Sequence, residues 1–187
     1  MNNDWQLPPP ALLEDDAALL GAVETAFAGV YRELFLHELA VNHGLPITTR
    51  AFRRIGPWRV FLLLTPWMLA RVLVPGEAPA LELPEEWLAA RREGAATVVL
   101  GPLLVFHLHD VPQKAHLNHH PDLGHYLLQP LILAMEQFGD ADAVFMAWNE
   151  VLRTRDENMK KLARDCPTQR EVSRREFFSS LIAKRKT

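Results

Sequence analysis

A single cysteine, Cys166, is present in 187 residues, so no internal disulfide contributes to stability and a reducing compartment suits the chain. Long apolar runs are also missing. The longest, Val60 to Ala70, is about half of what a membrane helix needs, and Thr65-Pro66 interrupts it. The start of the chain, Asn2-Asn3-Asp4 followed by Pro8-Pro9-Pro10, has neither a basic nor an apolar leader region, so nothing there directs secretion. No Gly-x-Gly-x-x-Gly fingerprint, phosphate-binding Gly-x4-Gly-Lys-Ser/Thr loop or Gly-x-Ser-x-Gly elbow occurs, which argues against nucleotide cofactors and serine hydrolysis. Cys166 has Arg164 and Asp165 beside it but no neighbouring histidine to activate it as a nucleophile. The carboxylates sit among arginines in helical positions and single out no acid/base pair. These absences point to a soluble, cytoplasmic, non-enzymatic protein with no cofactor and no membrane insertion.

What is present is the composition of a globular chain, 49% hydrophobic and 23% charged, of a size that suits one core. The net charge of −3 conceals a division. Residues 152–187 hold 11 Lys/Arg against 5 Asp/Glu, which leaves 9 against 18 before them, so a −9 body carries a +6 tail. Such a tail suits an anionic partner or the acidic body itself. A nucleic acid is a poor candidate, because the whole chain is acidic and Phe177 and Phe178 fall on the expected packed side of the tail.

Apolar residues at Leu20, Val23, Phe27, Val30 and Leu34 keep helical spacing, and with Asp15 and Asp16 as an acidic start they predict a helix from about 15 to 42, stopped by Gly44 and Pro46. Residues 50–55, 58–65 and 68–74 are short apolar runs broken by Gly56-Pro57, Thr65-Pro66 and Pro75-Gly76. Prolines at that spacing exclude one continuous helix and predict a three-stranded antiparallel meander. Two more strands are expected at about 95–100 and 103–109, around Gly101-Pro102. Helices are expected from Asp122 to Phe138, from Asp140 or Asp142 to about Ala163, and from Thr168 to Ala183, the last with a Thr168/Glu171 capping pair. The fold class is therefore α+β: about five antiparallel strands with helices on one face, a long N-terminal helix and a helical C-terminal region. Residues 1–14 are read as a flexible segment, 15–167 as a single domain and 168–187 as a basic helical tail.

Two groups of residues carry the functional reading. His107, His109, His116, His119, His120 and His125, with Asp110 and Asp122, suggest a loop over 107–125 that holds nickel or zinc, since imidazole suits both. Their spacing matches no fixed ligand motif, and adventitious binding by an exposed loop, or buried histidines paired with neighbouring carboxylates, is the plainer reading. The run Leu64-Thr65-Pro66-Trp67-Met68-Leu69 joins two strands by a turn bearing a large aromatic and a thioether. Trp67 and Met68, with Trp58 and Trp87 near in sequence, would form an outward anchor for a partner protein or else fill the core.

Ala26-Phe27-x-x-Val30, Leu45-Pro46-Ile47, Phe52, Gly56-Pro57-Trp58, Leu64 to Leu69 and Val74-Pro75-Gly76 together resemble the HybE/HupJ-type assembly chaperones of nickel–iron hydrogenases. The similarity covers about residues 18–138, is densest over 45–76, and resumes at Arg174-Arg175. The family usually has a serine- and proline-containing segment where this chain has His107 to Pro112. The resemblance implies a non-enzymatic cytosolic helper that binds hydrogenase precursor subunits and delays export of the small subunit, whose signal peptide is then the expected partner. Under this reading Trp58, Thr65, Pro66, Trp67, Met68, Arg174, Arg175 and Phe177 are the partner-binding candidates. A metal-binding accessory protein is the alternative, and a homo-oligomer is left open. Ser173-Arg174-Arg175-Glu176-Phe177-Phe178 also looks like the core of a twin-arginine export signal, placed where it would compete with a client or simply close the fold as an amphipathic helix.

Overall fold

Asp15 caps the first long helix: its carboxylate accepts from the N–H groups of Ala17 and Ala18 at 2.9 and 3.1 Å. The computed structural model describes residues 4–165. A short helix, α1 (Pro10–Glu14), precedes α2 (Asp16–Val30), and α2 widens into a π-helical turn over Tyr31–Phe35. The helix ends well before Asn42, the expected limit. Beyond Phe35 the chain turns back, and Asn42 is tied elsewhere: its N–H donates to the Pro66 carbonyl at 3.0 Å, and its amide donates to the carbonyls of Met135 and Phe138 at 3.1 and 2.7 Å.

The meander is present as β1 (Thr48–Ile55), β2 (Trp58–Thr65) and β3 (Met68–Pro75). A second meander follows: β4 (Leu103–Leu108), β5 (Val111–His120) and β6 (Gly124–Ile132). The two join along β3 and β6 into one sheet of order β1-β2-β3-β6-β5-β4, antiparallel throughout. β2 and β3 lie inside the sheet with both faces covered, which is why they read as nearly unbroken apolar runs.

Three expectations are corrected here. Residues 95–100 form no strand; they lead into β4 through Gly101, whose backbone passes so close to Leu117 and Trp87 that a Cβ would meet the Leu117 carbonyl at 2.0 Å. Residues 122–138 are β6 and a following turn instead of a helix. The span 107–125 is not a loop but mostly the β5–β6 hairpin and the turn before it.

The sheet has two apolar faces. Leu19, Val23, Ala26 and Phe27 of α2 pack on Phe61, Leu63, Met68, Ala70, Val72, Val74, Tyr126 and Leu128. The buried stripe is thus Leu19, Val23 and Phe27, with Leu20 and Val30 at its margin. The opposite face, with Trp58, Val60, Leu73, Phe106, Leu117 and Leu127, is covered by Trp5 and by Leu81, Leu83 and Trp87 of the β3–β4 connection. That connection holds a 3-10 turn (Glu85–Trp87) and a one-turn helix, α3 (Ala89–Arg92). Residues 5–13, expected to be loose, are therefore partly built in: Trp5 is buried and its indole N–H donates to the Leu81 carbonyl at 2.8 Å.

The last described element is α4 (Ala141–Asp165), close to the expected 140–163 helix and started by Asp140, whose carboxylate accepts from the Ala143 N–H at 2.8 Å. The chain divides within it into two units, at Phe145/Met146. The expected tail helix over 168–183 lies outside the described residues.

Candidate functional site

The β2–β3 turn is fixed from inside. Thr65 Oγ1 donates to the Met68 carbonyl at 3.0 Å and accepts from the Met68 N–H at 3.1 Å, so one hydroxyl holds both ends of the Pro66-Trp67 corner. Pro66 presets the backbone of the first corner position. The strands then carry Met68 onto the helix-covered face, where it is 1% exposed. Trp67 follows it inward. Its indole stacks on Phe35 at a centroid distance of 4.2 Å and 15° between planes, with Tyr31 at 6.3 Å and Phe27 at 6.4 Å in near-parallel planes.

This corrects the expectation of an outward aromatic anchor. Trp67 is 8% exposed because the end of α2 and its π-helical turn roof it. Burying an indole against three rings gains more than leaving it in water. One cost remains: Trp67 Nε1 is buried with no hydrogen-bond partner among the described residues. Trp58 is a core residue too, on the opposite face of the sheet, tilted against Phe106 at 5.6 Å. The tryptophans therefore form no single cluster. Thr65 and Pro66 are also buried, while Arg174, Arg175 and Phe177 lie outside the described residues.

What the turn does present is its roof. Beyond Phe35 the chain exposes Leu36 at 46% and Leu39 fully, and this segment is braced by a relay in which the Tyr31 hydroxyl meets His43 Nδ1 at 2.6 Å and His43 Nε2 donates to the Glu38 carbonyl at 3.0 Å. Sequence reasoning missed Leu36 and Leu39, because it counted them inside the helix. The signal available was that Leu39 falls off the Leu20–Leu34 stripe.

The histidines are dispersed. His107 is exposed on β4, and His109 occupies a two-residue turn with Asp110 in which both have positive φ, 49° and 62°. His116 Nδ1 donates to the Gly101 carbonyl at 2.7 Å, and His119 Nε2 donates to Gln6 Oε1 at 2.7 Å. His125 is filled on both sides: Nδ1 accepts from the Gln6 N–H and Nε2 donates to the Trp87 carbonyl, each at 2.8 Å. His120 faces Asp122, at 3.8 Å. Among the described residues, no group of three or more His, Cys, Asp or Glu is placed to hold a metal. The alternative reading of 107–125 as a metal-holding loop gives way to a hairpin in which His116, His119 and His125 bond to the chain itself.

His119, His120 and His125 share one corner, and burial is the main reason that all three pKa values fall, His119 to about 4 with His125, Arg92 and His120 adding to the shift. The Gln6 N–H bond needs a bare Nδ1 on His125 and so a neutral ring, while the Trp87 and Gln6 side-chain bonds take ring N–H groups. They fasten the N-terminal segment to the far end of β5 and β6.

A family model for NiFe-hydrogenase assembly, chaperone, HybE, matches residues 18–180, most of the chain. The chain belongs to the HybE family of hydrogenase assembly chaperones. Hydrogenase maturation is accordingly the process in which this HybE-family chain takes part. The match spans the π-helical roof, both meanders and α4. Among solved structures, the solution structure of HybE from Escherichia coli is similar at 18% identity with a TM-score of 0.44, covering 65% of this chain and 66% of that one. The curated proteins give no match. Among the described residues no helix is long and apolar enough to cross a membrane.

Proposed function

We propose that this HybE-family chain works in the cytoplasm as a non-enzymatic holding partner for a hydrogenase precursor, the small subunit with its export signal, and that the roof over Trp67 is where the client docks. Family membership carries the reading. It is supported by the pairing of exposed Leu36 and Leu39 with a rigid aromatic floor, because apolar contacts backed by an immobile layer lose little entropy when covered. The excess of acidic over basic residues before residue 152, 18 against 9, favours a basic and apolar client and acts mainly on encounter rate and selectivity. Trp67 is then a positioning residue under the contact surface, not the surface itself. Arg174, Arg175 and Phe177 remain candidates for a competing, signal-like tail.

The test is calorimetric titration of the full chain with precursor small subunit and with the same subunit lacking its signal. Tight binding of the precursor alone is expected, and Leu39→Asp should weaken it by about tenfold without lowering thermal stability. Equal affinity for the two forms would remove the signal from the proposal. An unaffected Leu39→Asp would move the docking surface elsewhere.

A further inference from the structure

The sheet has two edges, and they are built differently. β1 is guarded: it carries Arg50, Arg53 and Arg54, its ladder is interrupted between Arg50 and Arg53, Ala51 takes a positive φ of 56°, and Arg50 is engaged by Asp142 at 2.8 Å and by the Phe145 ring. Charges and bulges of this kind prevent edge-to-edge pairing. β4, the other edge, has none of them. Its sequence, Leu103-Leu104-Val105-Phe106-His107-Leu108, carries no formal charge with histidine neutral, and its register with β5 is continuous. Leu103 and Val105 are 53% and 56% exposed on the face that α2 covers farther along the sheet.

The phase of the ladder says which backbone groups are free. The Leu117 N–H donates to the Pro102 carbonyl at 2.8 Å, so alternate residues Leu104, Phe106 and Leu108 bond inward to β5. Pro112, which has no N–H, stands opposite His107, as a non-bonded pair requires. Leu103, Val105 and His107 therefore direct both N–H and C=O away from the sheet. Among the described residues no hydrogen bond from another segment reaches these groups.

We propose that β4 pairs with β4 of a second copy of this chain, antiparallel about a two-fold axis at Val105, to form one continuous sheet across a homodimer. This register bonds Leu103 to His107 of the partner subunit, Val105 to the partner's Val105, and His107 to the partner's Leu103. About six hydrogen bonds result, and every outward group of the strand is used. The exposed row becomes Leu103, Val105 and their symmetry mates, and on the other face Leu104 meets the partner's Phe106, an aliphatic–aromatic cross-strand pair. Charge does not oppose the arrangement. Lys114, directly across from Val105 on β5, would lie three strand spacings from its mate, about 14 Å, which is beyond the screening length at physiological salt. A second copy fits better than a basic client here, since Lys114 would repel one. The surface is separate from the roof over Trp67, so the dimer and the client proposals stand or fall independently.

Sedimentation velocity and light scattering on the full chain test it. The wild type is expected to be a dimer in the micromolar range. Val105→Lys and Val105→Glu each place like charges opposite one another and should weaken dimerisation by at least about tenfold. An equimolar mixture of the two should recover a heterodimer, because the symmetric register sets Lys against Glu. Val105→Pro removes only an outward N–H and should give a folded monomer by circular dichroism; should it not fold, the charge pair still decides. A monomeric wild type at high micromolar concentration overturns the proposal, as does a Lys variant that dimerises normally or a mixture that fails to associate. Protection of β4 amides from hydrogen exchange only after precursor is added would overturn it in favour of a client strand.

Discussion

The planes of Trp67 and Phe35 lie 15° apart with their centroids separated by 4.2 Å, and this stack closes the helix-covered half of the core at the β2–β3 corner. Trp67→Ala would open a large cavity beneath the roof and is expected to destabilise the fold by about 3–5 kcal/mol. Trp67→Phe keeps a stacking ring and loses a donor that has no partner among the described residues, so it should cost less, about 1–2 kcal/mol. Urea unfolding of the two variants measures both. Equal losses would mean that the indole N–H is bonded in solution.

Thr65→Val retains the shape of the side chain but leaves the buried Met68 N–H without its hydroxyl acceptor. A loss of about 1–3 kcal/mol is expected, with Thr65→Ser close to wild type. Thermal melts of the pair separate lost bonding from lost packing.

The histidine corner predicts an acid-side weakness. His119 has its ordinary value of 6.5 in the unfolded chain and about 4 when folded, and His120 and His125 shift in the same direction. The unfolded state binds more protons between those values, so stability is complete above about pH 7 and declines from there toward pH 4. His119 is only partly shielded, and the decline attributable to it is about 1–2 kcal/mol after allowance for screening. Trp5 lies 5.5 Å from His125, and its fluorescence should change across the same interval. A flat stability profile from pH 7 to pH 4.5 would contradict the neutral-ring assignment.

Gly124→Ala is expected to be severe for a one-methyl change. Gly124 has a φ of 65°, and a Cβ there would sit 2.3 Å from the Gln6 carbonyl oxygen. Steric exclusion of the N-terminal segment should speed its proteolysis and lower the melting temperature, by several degrees for each kcal/mol lost. Unchanged protease sensitivity would show that the segment tolerates displacement.

The first meander was legible because its breaks are chemical: Gly56, Pro57, Pro66, Pro75 and Gly76 each forbid a helix or favour a turn, and the strands lie where they permit. α4 was legible from Asp140 and its spacing. β6 was not, because Asp122 resembles a cap and Tyr126 to Ile132 is apolar without strict alternation. Pro130 was the neglected sign, since it would have stood inside the supposed helix; in β6 it pairs with Ala70 beside the shift in register at Leu69/Ala70, where a missing N–H is tolerated. At the site, the Thr65-Pro66-Trp67-Met68 corner was located correctly and its direction was not. Which way an indole points at a hairpin corner depends on what covers that face, and the cover comes from the end of a helix more than thirty residues earlier in the sequence.

The bonds between Gln6 and His125 span 119 positions of sequence. During synthesis Trp5 can meet Leu81 of the β3–β4 connection first, but Gln6 has no partner until the β5–β6 hairpin has left the ribosome. Closure of so distant a pair favours slow, late completion of the fold. A leader or affinity tag fused close to Trp5 would therefore interfere with the final step of maturation of the chaperone itself.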